Sequence, residues 1–307
     1  MKYKHFYLFL FFTLTQLPVF AQYSGRIFSN KSEKGIAYAS MFIIDEKTSG
    51  TISDSTGHFS FTANKSASLR VTAVGFHDTL IPLSSVNQQF NIYLREKIFT
   101  LPEITITPTQ EPAYFIIGAP WSKKENKHTY EIKEVKGISM ENGLTFSKFA
   151  QGIYEGSYTK VKKKEINKQI DSIEVFVPEK GAINTLIGLR ILASPSKVKG
   201  MKGHSAQNLQ ELLPSLLTFK VTKSGWHTID LTDYNIRMPQ GGLFILFTVL
   251  DQNARGKPIF SYYSSFWSTE RVKLAAYSPE KNRYTTVSNM IVLGTGFFSP
   301  MIAIHGH

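Results

Sequence analysis

The stretch Gly50–Phe61, which reads GTISDSTGHFSF, decides the fold of the first part of the chain. Asp54 can accept hydrogen bonds from backbone N–H groups just downstream, and Gly57 adopts a positive φ at low cost. Phe59 and Phe61 then alternate with a serine, which is the period of a strand with one buried face. The stretch therefore predicts a hairpin whose strand resumes at Phe59. We favour this turn role for Asp54 over calcium binding, because the repeated acidic ligands of an EF-hand loop are missing.

The segments around this hairpin also have the patterns of short strands. Apolar and polar residues alternate in Leu69–Ala73 and in Phe90–Leu94, which predicts strands with one buried face. Ala39–Ile44 is instead apolar except for one serine, which indicates a strand buried on both faces. Gly75 and Phe76 predict a strand end with the ring packed back on the core. Together these patterns predict a small β-sandwich over residues 22–97.

The first segment contains, in chain order, the motifs Gly25-x-Ile, Gly35-Ile-Ala-Tyr-Ala-Ser, Gly50-Thr-Ile-Ser-Asp54, Gly57-x-Phe59 and Leu69-x-Val-x-x-Val-Gly75-Phe76. In this order of motifs it resembles the carboxypeptidase regulatory-like domain, a transthyretin-like Greek-key sandwich that is abundant in envelope proteins of Bacteroidota. The resemblance implies an all-β fold and a structural or docking role. It implies no peptidase activity, because the family has no catalytic residues to carry over.

Residues 1–21 have the three parts of a secretory signal peptide. Two lysines give a positive start, Phe6–Phe12 is almost wholly apolar, and Val19-Phe20-Ala21 offers small residues at the positions that a signal peptidase reads. The apolar run is shorter than the ~20 residues of a membrane-spanning helix, although a retained N-terminal anchor is an alternative. We expect an exported protein whose mature chain starts at Gln22, located in the periplasm, at the outer membrane or on the cell surface.

The composition narrows the class of protein further. The chain has no cysteine, which excludes disulfides and a lipid on an N-terminal cysteine, and favours a bacterial envelope over other exported settings. Its net charge is +12, and residues 98–307, with 25 basic and 17 acidic residues, hold most of the excess. A basic surface attracts nucleic acid, anionic lipid or acidic glycan. For an exported protein we expect no nucleic-acid partner.

Residues 98–128 are predicted to be a Pro-containing linker. Within them, Leu101–Pro108 resembles the segment that follows this module in TonB-dependent outer-membrane transporters. The remaining 200 or so residues are too few for a plugged barrel of 22 strands at ~10 residues each with their loops. A linker strand is therefore favoured, and a role as an accessory component of such a transport system is kept as an alternative.

Residues 129–307 are predicted to form a second, jelly-roll-like β-sandwich, with Leu243–Leu250 as a fully buried central strand. Only Ala206–Leu213 has a helical pattern, which Pro214 would end. Gly225–Gly242 resembles a segment of Bacteroidota proteins that pair this module with a jelly-roll domain. The other predicted strands are Ile173–Val177, Leu186–Leu192, Leu216–Val221, Trp226–Leu231, Val272–Leu274, Ile291–Leu293 and Met301–Ile304.

Three residues in the segment from Gly225 raise the question of glycan chemistry. Trp226 could be a sugar-stacking platform, but a tryptophan that opens a strand more often covers one end of a sandwich core. Asp230 and Asp233 could be a general acid and base, but a glycosidase needs two carboxylates facing each other at ~5–10 Å. We favour a turn near Tyr234 that is capped by Asp233.

The remaining candidates are histidines and lysines. His305 and His307 could bind a metal, but they stand at a chain end, where fraying is the default, and no carboxylate or thiol is near them in sequence. Lys160-Val-Lys-Lys-Lys164 could meet an anionic head group, although a solvated hairpin or a lysine-protected edge strand is favoured. The motifs of nucleophile elbows, zinc peptidases, phosphate loops and dinucleotide sites are missing.

The sequence therefore predicts an all-β, non-enzymatic cell-envelope protein that binds or scaffolds another component, either an envelope protein or a glycan. We assign no catalytic, cofactor-binding or metal residue, and we expect association with the outer membrane. Two alternatives remain: an accessory component of a TonB-dependent transport system, and a glycan-active hydrolase whose site lies in the second domain.

Overall fold

The described part of the chain is almost entirely β-strand. In this computed structural model the described residues are 20–44, 49–97, 114–118, 154–177, 181–195, 204–251, 262–265, 272–279, 281–287, 297–300 and 302–307. Strands are joined there by turns and by single turns of 3-10 helix, which confirms the predicted all-β class. Among these residues, none lies in a helix long and apolar enough to span a membrane.

Residues 20–97, the N-terminal module, form a sandwich of two sheets. One sheet has the order β4-β1-β7 and the other β3-β2-β5-β6, and all neighbours are antiparallel except β1 and β7. Alternating residues of both sheets meet in one apolar core. The strands are β1 (Phe20–Ser29), β2 (Ser40–Ile44), β3 (Ser49–Ile52), β4 (His58–Asn64), β5 (Ser68–Thr72), β6 (Thr79–Pro82) and β7 (Ile92–Leu94).

The predicted hairpin at Asp54 is confirmed in detail. Asp54 Oδ1 accepts the backbone N–H groups of Thr56 at 2.8 Å and His58 at 2.9 Å, and the Thr56 hydroxyl at 2.7 Å. The Thr56 hydroxyl bond and these backbone bonds lower the pKa of Asp54. Gly57 has a φ of +89°, where a side chain would be strained. The strand resumes at His58, one residue before the predicted position.

The described residues from 114 onward, the C-terminal domain, form a second and larger sandwich. A four-stranded sheet with the order β15-β10-β21-β8 packs on an eight-stranded sheet with the order β12-β19-β18-β9-β16-β11-β13, in which β14 also pairs with β11. We call the latter the large sheet. As predicted, Leu243–Val249 is a buried interior strand of it. The strands are β8 (Phe115–Gly118), β9 (Glu155–Thr159), β10 (Ile170–Val177), β11 (Thr185–Ala193), β12 (His204–Ser205), β13 (Gln210–Glu211), β14 (Leu217–Val221), β15 (Gly225–Asp230), β16 (Leu243–Val249), β17 (Tyr262–Ser265), β18 (Val272–Ser278), β19 (Arg283–Val287), β20 (Phe297–Pro300) and β21 (Ile302–Gly306).

Two segments differ from their predicted structure. The helix expected over Ala206–Leu213 is wrong, because this segment forms a 3-10 turn at Ala206–Asn208 and then β13, which pairs with β11. The fraying expected at His305 and His307 is also wrong. β21 lies between β10 and β8, and Gln169 and His307 exchange two backbone hydrogen bonds of 2.8 and 3.1 Å.

The predicted ends of the signal peptide and of the linker can each be compared with a strand of the structure. β1 begins at Phe20, so Phe20 and Ala21, the last residues of the predicted signal peptide, pair with Asn64 and Ala63. β8, from within the predicted linker 98–128, pairs with β21. Leu101–Pro108 and Ile291–Leu293 lie outside the described residues.

The large sheet has two buried faces. One face packs on the four-stranded sheet through an aliphatic core. The other, which we call the interface face, packs on the N-terminal module, where Phe42 is fully buried with its ring centre 5.4 Å from that of Tyr277. Phe42 lies on β2, whose residues Met41 and Ile43 point into the module's own core. The predicted burial of both faces of Ala39–Ile44 is confirmed, and the two sheets of the module, the large sheet and the four-stranded sheet form a stack. β17 and β20 pair in a further two-stranded sheet.

Candidate binding site

Several side chains considered for function in the sequence lie on or beside one surface, the outer face of the four-stranded sheet. Ile173, Val175 and Val177 of β10 point into the sandwich, so Glu174 and Phe176 point outward. Their cross-strand partners on β15 are Thr228 and Trp226. We call this surface the outer face.

Two carboxylate–imidazole pairs lie at this sheet. His305 Nε2 is 2.9 Å from Glu174 Oε2, and His307 Nδ1 is 2.8 Å from Asp171 Oδ2. Glu174 Oε1 also accepts the Thr228 hydroxyl at 3.2 Å. The carboxylates that the sequence seemed to lack are therefore present, supplied by a strand more than 130 positions away. Within the described ranges, no group of three or more His, Cys, Asp or Glu could hold a metal ion.

Trp226 does not cover the end of the sandwich core. It lies half-buried on the outer face, and its ring meets that of Phe176 edge-to-face at 5.3 Å. β15 is the last strand on this side of the four-stranded sheet. The preferred sequence interpretation of Trp226 is therefore wrong, and an aromatic pair is available at the rim of this face.

The two aspartates considered as acid and base belong to a turn. Asp230 Oδ1 accepts the backbone N–H of Thr232 at 3.0 Å and its hydroxyl at 2.8 Å, and these bonds lower the pKa of Asp230. The capping role expected for Asp233 is thus performed by Asp230, while Asp233 lies exposed in the 3-10 turn Thr232–Tyr234. The hydrogen bonds of Asp230 are those of a structural turn residue.

A cleft of about 570 Å³ lies between the N-terminal module and the C-terminal domain. The module supplies one wall from the Asp54 hairpin, and the domain supplies Leu186, Leu250 and Asp251. Ligand pockets of ≈ 300–1,000 Å³ occur preferentially at domain interfaces. The wall from the module is rich in hydroxyl groups and consists of Tyr38, Thr51, Ile52, Ser53, Asp54, Ser55, His58, Phe59 and Ser60.

The module's wall is fixed by local hydrogen bonds. Ser53 Oγ donates to the Ile36 carbonyl at 3.0 Å and accepts the Ala39 N–H at 2.9 Å. Between these residues, Tyr38 has a φ of +55°, a conformation that is uncommon for a bulky side chain. His58 Nδ1 lies 2.8 Å from the Thr56 hydroxyl. Backbone strain of this kind persists where the surroundings enforce it, and it clusters at ligand sites.

A buried ion pair lies within the large sheet, on its interface face. Arg190 Nε donates to Glu211 Oε1 at 2.6 Å, Nη1 donates to the Tyr284 hydroxyl at 3.0 Å, and the guanidinium lies 5.2 Å from the centre of the Tyr154 ring. Burial alone would lower the pKa of Arg190, but the Glu211 carboxylate outweighs it and the pKa rises. Burial raises the pKa of Tyr284, so its hydroxyl stays protonated.

A second polar contact crosses directly between the module and the domain. In the orientation that satisfies both of its polar atoms, the Asn282 amide donates to Asp78 Oδ2 at 3.1 Å and accepts from Arg70 Nη1 at 3.2 Å. Asn282 belongs to the turn before β19, and the other two residues belong to the module. The sequence did not reveal this contact or the cleft. For the ion pair of the interface face, the sequence did offer a signal: Arg190 is a charge inside the apolar segment Leu186–Leu192, which requires a buried partner.

The comparisons with known proteins concern mainly the N-terminal module. Residues 23–106 match the family model of the CarboxypepD_reg-like domain, which confirms the resemblance drawn from the sequence. No curated protein matches the chain.

Solved structures resemble the chain only weakly. The cysteine protease and lectin-like domains of a surface-layer-associated protein of Clostridium difficile share 11% identity at a TM-score of 0.35, over 50% of this chain and 32% of that one, so the chain spans about a third of that protein. A DUF3823 family protein from Parabacteroides merdae shares 8% identity at a TM-score of 0.20, over 92% and 98%. A candidate carbohydrate-binding protein from Bacteroides uniformis shares 10% at 0.20, over 89% and 98%. TM-scores this low carry no conclusion about this chain.

Proposed function

We propose that this chain is a non-enzymatic binding protein of the cell envelope, and that the cleft between its two sandwiches holds a glycan. The observation that carries the proposal is the cleft itself, which has the volume of a ligand site and needs both sandwiches to exist. The N-terminal module then acts as one wall of the site, in keeping with the structural or docking role of its family.

The chemistry of the cleft suits a sugar. Hydroxyl groups of Thr51, Ser55 and Ser60 line one wall and can both donate and accept hydrogen bonds, as sugar hydroxyls do. Apolar surface from Leu186 and Leu250 completes the lining and can meet the C–H face of a sugar ring. A few polar groups set on an apolar lining are typical of small-molecule sites.

A binding role is favoured over hydrolysis by the state of the candidate carboxylates. Asp230 is engaged by Thr232 in a turn, and Glu174 and Asp171 are each paired with a histidine. A glycosidase instead keeps two carboxyl groups facing each other across the bound sugar. The predicted signal peptide over residues 1–21 supports the envelope location.

The test is glycan binding by residues 22–307, measured by calorimetry against chito-oligosaccharides, dextran oligomers and oligosaccharides released from bacterial lipopolysaccharide. Ser60→Trp places a large ring in the cleft and should weaken binding at least about tenfold. Thr62→Trp is the matched control, because Thr62 is also exposed on β4 but does not line the cleft. Equal affinity for both variants, or binding by neither the variants nor the parent, would overturn the cleft as the site.

Hydrolysis is tested on the same samples. We expect no release of reducing ends from any of these glycans, and no difference for Asp230→Asn or Asp233→Asn. Glycan turnover by the purified protein that disappears in either variant would replace binding by catalysis as the function.

A further inference from the structure

The turn that follows β9 presents positive charge without any exposed acidic residue of its own. Lys162, Lys163 and Lys164 are exposed, and Lys163–Glu165 forms a 3-10 turn. Glu165, the acidic residue of this turn, is only 3% exposed, and its Oε2 accepts the backbone N–H of Lys162 at 2.9 Å. The carboxylate thus serves the backbone, and the three ammonium groups face solvent.

A second loop adds to this charge and holds the turn in place. Arg237 Nη1 donates to the Asn167 carbonyl at 3.1 Å, and Met238 exchanges backbone hydrogen bonds with Asn167 and Lys168 at 3.0 and 2.8 Å. The cations are therefore carried on a hydrogen-bonded backbone. We call Lys162, Lys163, Lys164, Lys168 and Arg237 the basic surface.

Protection of a strand edge does not explain these lysines. β9, which the turn follows, pairs with β16 on one side and with β18 on the other. Lysines protect edge strands from pairing with other chains, but an interior strand already has both neighbours. Of the two structural explanations open at the sequence level, only a solvated turn remains.

Exposed apolar side chains adjoin the basic surface. Tyr114, the residue before β8, is 82% exposed, and Ile116 of β8 is 53% exposed. Lys168 Nζ lies 5.7 Å from the ring centre of Phe115, which stands between them. Tyr234, which is 36% exposed, precedes Arg237 by three positions. The described residues hold five exposed large apolar side chains, and three of them are these. A merely solvated turn does not require such neighbours.

We propose that the basic surface and its apolar rim dock the protein onto an anionic lipid bilayer, a proposal that rests on the envelope location proposed above. Lysine and arginine near an anionic membrane contribute about 1 kcal/mol each, and tyrosine favours the head-group level of the interface. This surface would contact the lipid through cations and apolar side chains together. An acidic soluble polymer would need only the cations.

The nearby acidic groups fit this arrangement. Asp171 Oδ2 is engaged by His307 Nδ1 at 2.8 Å and is only part-exposed. Asp233 is exposed beside Tyr234, at the margin of the surface, and would oppose docking. Asp233→Lys should therefore strengthen binding to anionic vesicles, whereas unchanged or weaker binding would place the membrane elsewhere.

The principal test is co-sedimentation of residues 22–307 with vesicles of phosphatidylcholine, with and without about a third of phosphatidylglycerol. We expect binding only to the anionic vesicles, weakened by raising salt from about 0.1 M to about 0.5 M. Lys163→Glu/Lys164→Glu should reduce it at least about tenfold. The matched control is Lys220→Glu/Lys223→Glu, which changes the net charge equally at two exposed lysines elsewhere.

Several outcomes would overturn membrane docking: binding to neither vesicle, equal binding to both, or an equal loss in the two double variants, which would indicate net charge alone. Binding to soluble dextran sulfate without binding to vesicles would assign the surface to an acidic polysaccharide instead. Tyr114→Ser should weaken vesicle binding while leaving its salt dependence unchanged, and an unaffected affinity would contradict the role of the rim. Ser60→Trp should bind vesicles normally, which separates failure of this proposal from failure of the cleft.

Discussion

The two faces of the large sheet are covered by side chains of different chemical character. The face toward the four-stranded sheet is covered by aliphatic side chains such as Ile187, Leu189 and Ile245. The interface face, toward the N-terminal module, is covered by Tyr154, Tyr284 and other aromatic residues, and it contains a buried ion pair. The first resembles the interior of a sandwich, and the second resembles an interface between two proteins.

This difference shows what each face contributes. Aliphatic burial is non-directional, so it stabilises the sandwich without fixing one arrangement. An amide contact that crosses the interface is satisfied in one geometry, as at Asn282 with Asp78 and Arg70. The interface face thereby holds the module at a defined position, and the cleft between them keeps its width.

The largest effect is expected from breaking the ion pair on the interface face. Arg190→Met leaves the Glu211 carboxylate buried without its partner, so the free energy of unfolding should fall by about 3–5 kcal/mol in urea titrations. The double variant Arg190→Met/Glu211→Leu buries no charge and should recover most of this loss. A single variant as stable as the parent would show that the pair does not stabilise the large sheet.

Substitutions at Phe42 measure how much the packing of the module on the interface face stabilises the protein. Phe42→Ala removes a fully buried ring against Tyr277 and should cost about 3 kcal/mol, at the low end for phenylalanine because an interface can close partly over the space. Phe42→Leu keeps most of the apolar volume and should cost less than about 1.5 kcal/mol. A negligible effect of the alanine variant on urea unfolding would mean that the module does not pack there.

Glu155 lies on the face of the large sheet toward the four-stranded sheet, and it should make the free energy of unfolding depend on pH. It lies opposite Phe247 and Ala276, is 8% exposed, and burial raises its pKa from 4.5 to about 7. Between these values the folded protein keeps the proton that the unfolded chain has lost, so stability falls as pH rises through this window and then levels off.

The expected loss is about 3 kcal/mol, measured as the difference between urea unfolding at about pH 5 and about pH 8. Glu155→Gln should remove most of this difference, because the amide does not titrate. Glu174→Gln is the control on the four-stranded sheet and should retain it. A stability that rises across the same interval, or one unaltered by Glu155→Gln, would contradict the assignment.

The smallest effect is expected at the module's exposed hairpin. Asp54→Asn keeps an oxygen for the turn but removes the charge, and since the side chain is more than half exposed the loss should be about 1 kcal/mol or less. Because hydrogen bonds lower the pKa of Asp54, its contribution is present above the ordinary value of 3.8 and is lost as pH falls below it. A loss much greater than this, measured by urea unfolding at neutral pH, would indicate that the turn also holds the cleft.

Local patterns predicted local structure well. The Asp54 turn, the buried strand Leu243–Val249 and the double burial of Ala39–Ile44 follow from side-chain period and turn chemistry alone. The helix expected at Ala206–Leu213 fails because so short a segment is a marginal helix, and here pairing of β13 with β11 decides its conformation.

Contacts between distant segments could not be predicted in the same way. Glu174 and His305 are separated by 131 positions, and only the position of β21 beside β10 brings them together. The interface face requires knowledge of which sheet covers Phe42, and no local pattern contains it. The cleft depends on this docking, so its residues could not be assembled from the sequence.

The module and the domain are expected to unfold as one unit because they pack through the interface face, and the three tryptophans allow a direct test. Trp121, Trp226 and Trp267 all lie beyond residues 23–106, so tryptophan fluorescence reports on the chain outside the module, while far-UV circular dichroism reports on both parts. In urea, residues 22–307 should unfold with coincident midpoints by the two probes, and Phe42→Ala should separate them. Separate midpoints in the parent protein, unchanged by Phe42→Ala, would show that the two sandwiches unfold independently and would contradict unfolding as one unit.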